Sequence, residues 1–252
     1  MSARAIAVLL WLAVAAPGAA AEVALHPQYG DVHVPGTSAV LHLGQHIAYI
    51  PKLEAQQVMV QSWGYAASDV SDVLGLILPQ KGYGDWQATV TYKIEGHVDD
   101  VYADVDNSDE IKSAILESEP DQNMARRDAK VPTLEMQDWP QKPIYDKARH
   151  TLVWSREVAV GGEKTHALLA NVATLNRTGV LMFRIVSDMD HAKEVAGGLK
   201  TLAKVTSFAP GTRYEDYREN ADRLAVYDTL GLIEGDAGVQ GAVHKTGWQY
   251  LQ

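Results

Sequence analysis

The chain contains no cysteine, which removes disulfides, thiol catalysis, Cys-ligated zinc and lipidation of an N-terminal cysteine from its possible chemistry. Its fold must rest on its core alone. It also lacks any cluster of Lys and Arg, and its formal charge is −10. A polyanion partner demands basic clusters that release counterions, so nucleic acid is excluded as an expected partner. Beyond Ala21 no apolar stretch approaches the ~20 residues that span a bilayer. The zinc motif H-E-x-x-H, the nucleophile motif G-x-S-x-G and a Gly-rich strand-to-helix loop are all missing, which argues against nucleotide enzymology and leaves no cofactor implied. There is no internal repeat and no low-complexity segment.

What is present begins at the N-terminus. Arg4, an apolar run from Ala5 to Ala16, Pro17-Gly18 and Ala19-Ala20-Ala21 form the pattern of a secretory signal, with the small-residue triplet as its cleavage site. The expectation is cleavage after Ala21 and a soluble periplasmic or secreted bacterial protein comprising residues 22–252 as a single α+β domain.

Hydrophobic patterning sets the expected elements. Ala39 to Ile50 reads as two short strands around Gly44-Gln45, and Pro51 opens a helix that runs through Trp63 to a stop at Gly64. Val73 to Leu78 is an apolar run ended by Pro79. Gly82-Tyr83-Gly84-Asp85 is a turn into a strand in which Trp86, Ala88, Val90, Tyr92, Ile94 and Val98 form the apolar face. Asn107 to Glu117 reads as a helix, with Asn107 and Glu110 spaced as a capping box; Asp121 to Lys130 reads as a loop or frayed helix. Leu134–Trp139, His150–Val160, Thr165–Leu175 and Val180–Val186 have the spacing of a β-meander. Two helices follow, Asp190 to Lys204 and about Tyr214 to Glu234, the second carrying Asp228 on its apolar side. The fold class expected is α+β, an antiparallel meander sheet with helices packed on one face.

The richest polar cluster is Glu95, His97, Asp99 and Asp100, continuing into Asp104, Asp106, Ser108 and Glu110. Three chemistries fit these residue types. Acidic side chains gather at a helix N-terminus because the macrodipole favours them there. Alternating Asp104, Asp106, Ser108 and Glu110 resemble a calcium loop, although Asp109 stands where the turn glycine belongs and Ile115 where the closing acid belongs. Glu95 with Asp99 or Asp100 supplies the carboxyl pair of a glycosidase if the two face each other across a cleft. Trp63, Tyr83, Trp86, Trp139 and Trp154 offer faces for stacking on sugars, but Trp86 and Trp154 lie on apolar strand faces and read as core. The histidines, among them His42 and His46 around a predicted turn, fall in no recognised ligand spacing.

Five ordered blocks carry a family resemblance: Gly96 to Asp106 (GHVDDVYADVD), Trp139 to Asp146 (WPQKPIYD), Leu152 to Trp154 (LVW), Asn171 to Leu181, and Ser207 to Leu232 with its F-x-x-G-x-R-Y-x-D-Y core. Together, over roughly residues 36–236, they resemble the DUF2167 family, bacterial proteins described as membrane-anchored and without an assigned activity. The matched positions include Trp139, Tyr145, Asp146, Trp154, Arg177, Gly179, Phe208, Gly211, Arg213, Tyr214, Asp216 and Tyr217. The chain departs from the family pattern at Leu168-Leu169-Ala170, Ala173, Asn176 and Asp228, and it stops at Gln252 without the apolar anchor that the resemblance implies. Membrane attachment is therefore not expected after signal cleavage. Gly179 is expected to supply a positive φ, and Arg213 to pair with Asp216 or Asp222. The matched residue types read as a shared scaffold rather than a shared active site. The function expected is that of a non-enzymatic envelope or secreted binding protein that contacts an envelope protein or a small ligand. A carboxylate-dependent hydrolase of envelope polymers and a calcium-stabilised scaffold or adhesion domain are the alternatives.

Overall fold

A computed structural model describes residues 23–237; the signal pattern expected at residues 1–21, with its expected cleavage after Ala21, lies outside the described residues. Two antiparallel sheets organise the chain. The larger has seven strands, here numbered with the rest in chain order: β3 (Ile47–Pro51), β4 (Val73–Pro79), β5 (Ala88–Lys93), β6 (Leu134–Asp146), β7 (Thr151–Val160), β8 (Ala167–Leu175) and β9 (Val180–Asp188). They lie in the order β3-β4-β5-β9-β8-β7-β6. The smaller sheet is β1 (Asp31–His33), β2 (Ala39–His42) and β10 (Thr206–Phe208), with β2 in the middle. The α+β class and the β6–β9 meander follow the sequence expectation.

All nine residues of β8 are buried, and alternation along it explains why. Leu168, Ala170 and Val172 face the same way as Leu181, Phe183 and Ile185 of β9, against α3 (Ala192–Leu202) and the small sheet. Ala173 and Leu175 face the other side with Leu152 and Trp154, against α2 (Ser108–Asp128) and α4 (Thr229–Ala237). Helix α1 (Lys52–Gln61) packs Ala55, Val58 and Met59 on Ile50 and Leu76 of that second side. Three helices thus share one face as expected, and the fourth lies on the other with the small sheet. A sheet covered on both faces has no need of polar alternation in its central strands.

Several boundaries differ from the sequence reading, each for a physical reason. Strand β5 ends at Lys93, so Ile94 projects into solvent. Helix α2 runs through the charged stretch to Asp128 with Pro120 inside it. Asn123 anchors the extension: its amide donates to the Leu134 carbonyl (2.8 Å) and its carbonyl accepts from the Leu134 amide (2.9 Å). Asn107 makes no side-chain cap; the Asp106 carboxylate accepts from the Ser108 amide instead. Strand β6 continues across Pro140 and Pro143 because it is an edge strand, where a missing N–H costs no ladder bond. The helix expected from Tyr214 to Glu234 is absent as such. A 3-10 turn at Tyr214–Asp216 leads into irregular chain, and α4 begins only at Thr229. Asp228, expected on its apolar side, stands just before α4 and accepts from the Gly231 amide.

Candidate functional site

The site is built where β5 leaves the sheet. Gly96 has φ +100, and a Cβ there would lie 2.7 Å from the Leu224 carbonyl carbon. Glycine therefore lets the backbone close on the 223–225 segment, where the His97 amide donates to the Arg223 carbonyl and the Ala225 amide to the His97 carbonyl, both at 2.8 Å. That bridge fixes His97, buries Val98, and sets Asp99 and Asp100 at the surface end of the sheet.

Two other segments converge on this point. The end of β6 brings Tyr145, and the turn into β7 brings His150 in a left-handed conformation (φ 47). Asp146 shapes that turn, its carboxylate accepting from the Ala148 amide and pairing with Arg149 at 2.7 Å. The 3-10 turn brings Tyr214 and Tyr217, its entry closed by the Arg213 amide donating to Asp216. Arg213 does not pair with Asp222 and reaches Glu215 at 3.9 Å. Asp222 instead accepts both ends of the Arg177 guanidinium at 2.8 Å, and Arg177 also donates to the Gly211 carbonyl. This fork holds the irregular 211–223 segment against the β8–β9 turn. Gly179 in that turn does not take a positive φ; a Cβ there would lie 2.1 Å from the Lys93 carbonyl oxygen, so it is the close approach that calls for glycine.

Four rings pack in series, the outer two pairs stacked and the middle pair tilted by 32°. His150 lies on Tyr214 with centroids 4.1 Å apart, Tyr214 on His97 at 4.2 Å, and His97 on Tyr217 at 3.9 Å. At one end of this column the Tyr145 hydroxyl donates to Asp100 at 2.6 Å and meets His150 Nδ1 at 3.0 Å, while His150 Nδ1 stands 3.4 Å from the same carboxylate. The Tyr214 hydroxyl donates to the Val98 carbonyl at 2.8 Å.

Protonation follows from this geometry. Burial pushes the Asp100 carboxyl upward, but the Tyr145 and Tyr214 hydroxyls and the His150 imidazole outweigh it, and the net displacement is downward. Burial, and then the Asp100 charge, push the Tyr145 phenol far above its ordinary value and raise that of Tyr214 as well. His97 is lowered, burial outweighing the nearby Asp100, Asp99 and Asp222 carboxylates. Its Nδ1 is buried with no hydrogen-bond partner among the described residues. Asp100 is thus held as a carboxylate, with the Tyr145 and Tyr214 phenols beside it held neutral.

Of the candidates read from sequence, the structure brings His97 and Asp100 together with Tyr145, Tyr214 and Tyr217. Asp99 remains exposed, its carboxylate bonded to the Val101 amide. Glu95 joins the site only through its backbone carbonyl, which accepts from Arg223. Asp104 and Glu110 are exposed, Asp106 pairs with Lys142 at 3.5 Å, and Ser108 is buried with its carbonyl accepting from the Trp139 indole. Among the described residues no three His, Asp or Glu side chains are placed to hold a metal ion, so the calcium-loop spacing finds no counterpart there. Trp139 and Trp154 are core, Phe208 packs against the core from its edge, Gly211 takes φ +83, and Tyr83 is exposed and stacked on His46. Sequence reasoning missed His150, which no spacing links to Asp100; its one signal was its place just after the WPQKPIYD block. Around the site Ile94, Val101, Tyr102, Val105, Leu224 and Val226 are exposed, Val226 almost completely at 97%. Among the described residues no helix is long and apolar enough to cross a membrane.

Residues 26–250 match the family described as "Protein of unknown function (DUF2167)". No curated protein matches the chain. Among solved structures it is similar to the solution structure of cyanobacterial PsbP (CyanoP) from Synechocystis sp. PCC 6803, at 10% identity and a TM-score of 0.38, over 78% of this chain and 99% of that one. The ordered blocks, the residues they bring together and the match over nearly the whole length lead to one assignment: the chain belongs to the DUF2167 family.

Proposed function

We propose that this is an exported binding protein whose working surface is the His–Tyr column with its apolar surround, and whose ligand is another envelope protein. The observation that carries the reading is the hydrogen-bonded His–Tyr column edged by exposed apolar side chains, and the direction of the pKa displacements agrees with it. General acid–base catalysis needs groups tuned toward the working pH. Here Asp100 is lowered, and Tyr145 and Tyr214 are raised, so each is held in the form it already has at neutral pH. A carboxylate-dependent hydrolase would need a raised carboxylic acid beside a second carboxylate, and neither Glu95 nor Asp99 serves Asp100 in that way. A rigid, hydrogen-bonded platform edged by exposed apolar side chains suits recognition instead. Export is supported by the N-terminal signal pattern.

The test is site-specific photocrosslinking in the native bacterial envelope. A photoreactive residue at Val226 should give a discrete higher-mass adduct, whereas one at Leu53, also open to solvent but on α1, should give none. Bare monomer from both positions, or the same adducts from both, would count against a specific surface.

A further inference from the structure

A second polar constellation lies on the solvent face of the small sheet and shares no residue with the column. Asp31 stands directly opposite His42 in the β1–β2 register, and Ser207 stands opposite Val40 in the β2–β10 register. Because side chains alternate with period two, Val40 and His42 point the same way, and Asp31, His42 and Ser207 form a row across three strands. The opposite face turns Val32, Ala39 and Leu41 into the core.

The row is hydrogen-bonded in one sense. Asp31 Oδ1 lies 2.8 Å from His42 Nδ1, and Ser207 Oγ lies 2.8 Å from His42 Nε2. An ionised carboxylate only accepts, so Nδ1 carries the ring proton. In the neutral ring Nε2 then holds a lone pair, to which the Ser207 hydroxyl donates. This is the arrangement in which a carboxylate orients an imidazole base toward a serine nucleophile, and it is recognised by geometry and role whatever the sequence order or fold. The ladder adds a backbone donor beside the nucleophile that has no strand partner among the described residues. The His42 amide bonds to the Val205 carbonyl and the Ala209 amide to the Ser38 carbonyl. That alternation turns the amides of Thr206 and Phe208 away from β2, and β10 is the edge strand. The residue after the serine therefore presents its N–H on an open edge.

We infer that Ser207 is an activated nucleophile, with His42 as its base and Asp31 as the positioning residue, and that its substrates are carboxylic esters. Asp31 and His42 keep 73% and 48% of their side-chain exposure, so the row is open enough to admit an ester displayed on a larger molecule. In the reaction the Ser207 Oγ bonds to the acyl carbon as its proton passes to His42 Nε2. The ester C–O bond breaks, and the departing alkoxide takes that proton and leaves as the alcohol. Water then attacks the acyl-serine, its proton passing through His42 back to Ser207 as the carboxylic acid is released.

The experiment treats the purified full chain with a fluorophosphonate probe, which forms an Oγ–P bond and expels fluoride, and maps adducts by peptide mass spectrometry. Labelling should fall on Ser207, vanish in Ser207→Ala, and slow on the order of a hundredfold in His42→Gln, the usual weight of a positioned base. Asp31→Asn, which leaves both other side chains in place, should slow it as well and serves as the second variant if His42→Gln fails to fold. Hydrolysis of p-nitrophenyl acetate by the same proteins should follow the same order. Absence of an adduct on Ser207, or labelling of the folded His42→Gln and Asp31→Asn variants at the wild-type rate, would reduce the row to a surface hydrogen-bond ladder and overturn the inference.

Discussion

Replacing Tyr145 by phenylalanine removes one oxygen atom from the centre of the site and leaves the ring that packs beside Trp139 and Trp154. That oxygen donates to Asp100 at 2.6 Å and meets His150 at 3.0 Å. A hydrogen bond to a charged partner contributes roughly 1.5–3 kcal/mol net. His150 remains beside Asp100 in the variant, and the carboxylate keeps 18% exposure, so water and imidazole recover part of the loss and about 2 kcal/mol is expected at pH 7. For a chain of this length that corresponds to a fall in Tm of roughly 4–8 °C.

The pH dependence makes the reasoning specific. Asp100 titrates below its ordinary value of 3.8 in the folded state, so its contribution is complete above that value and is lost as pH falls through the lower, folded one. Tyr145 titrates above its ordinary 10.0, so its contribution is complete below that value and fades as the unfolded phenol ionises at higher pH. The stability gap between wild type and Tyr145→Phe should therefore be widest across the neutral range and narrow at both ends. Urea unfolding of both proteins from acid to alkaline pH measures it. A gap that is absent at pH 7, or constant across the whole range, would refute the assignment of an ionised Asp100 held by a neutral Tyr145.

Asn123→Ala strips the two hydrogen bonds that tie α2 to Leu134 and leaves a backbone N–H and C=O unmet in a buried position, which should cost about 3 kcal/mol in urea unfolding; a loss below about 1 kcal/mol would mean that water replaces the clamp. Gly179→Ala drives a methyl group into the Lys93 carbonyl, whereas Gly162→Ala enters open space at φ +87. The first should lower Tm by more than the second, overpacking at a rigid backbone contact costing ~2 kcal/mol or more against ~1 for left-handed strain; the reverse order in thermal melts would contradict the close approach of the β8–β9 turn to the end of β5.

The parts of the fold that could be read from the chain are those whose signals are local. The meander was legible because Gly161-Gly162 and Asn176–Gly179 punctuate runs of strand length, and α3 because Val195, Leu199 and Leu202 recur on one face. The stretch from Tyr214 to Asp228 misled because its residues suit a helix, yet its conformation is set from outside. Arg177 captures Asp222, the Gly96–His97 backbone captures residues 223–225, and the Tyr214 and Tyr217 rings are held by stacking. Those long-range ties outweigh helix propensity, which contributes only tenths of a kcal/mol per residue. The site was half legible for the same reason. Acidic residues after β5 drew attention to Asp100 and His97, but no sequence spacing relates them to Tyr145, His150 and Tyr214, and only the folded chain separates the engaged Asp100 from Glu95, Asp99, Asp104 and Asp106. Three of the five matched family blocks, which read as scaffold in the sequence, meet at this column through His97 and Asp100, Tyr145, and Tyr214 and Tyr217. Asp31, His42 and Ser207 were less visible still, because His42 and Ser207 are 165 positions apart and are joined only by strand register.

The central claim is that the surface around the His–Tyr column is where this protein meets its partner. Ile94→Asp with Val226→Asp places two charges on that surface at side chains open to solvent, where folding has little stake in them. With a photoreactive residue at Val101, the envelope adduct should be lost in the double variant while Tm stays at the wild-type value. An adduct that persists undiminished at unchanged Tm would contradict the account.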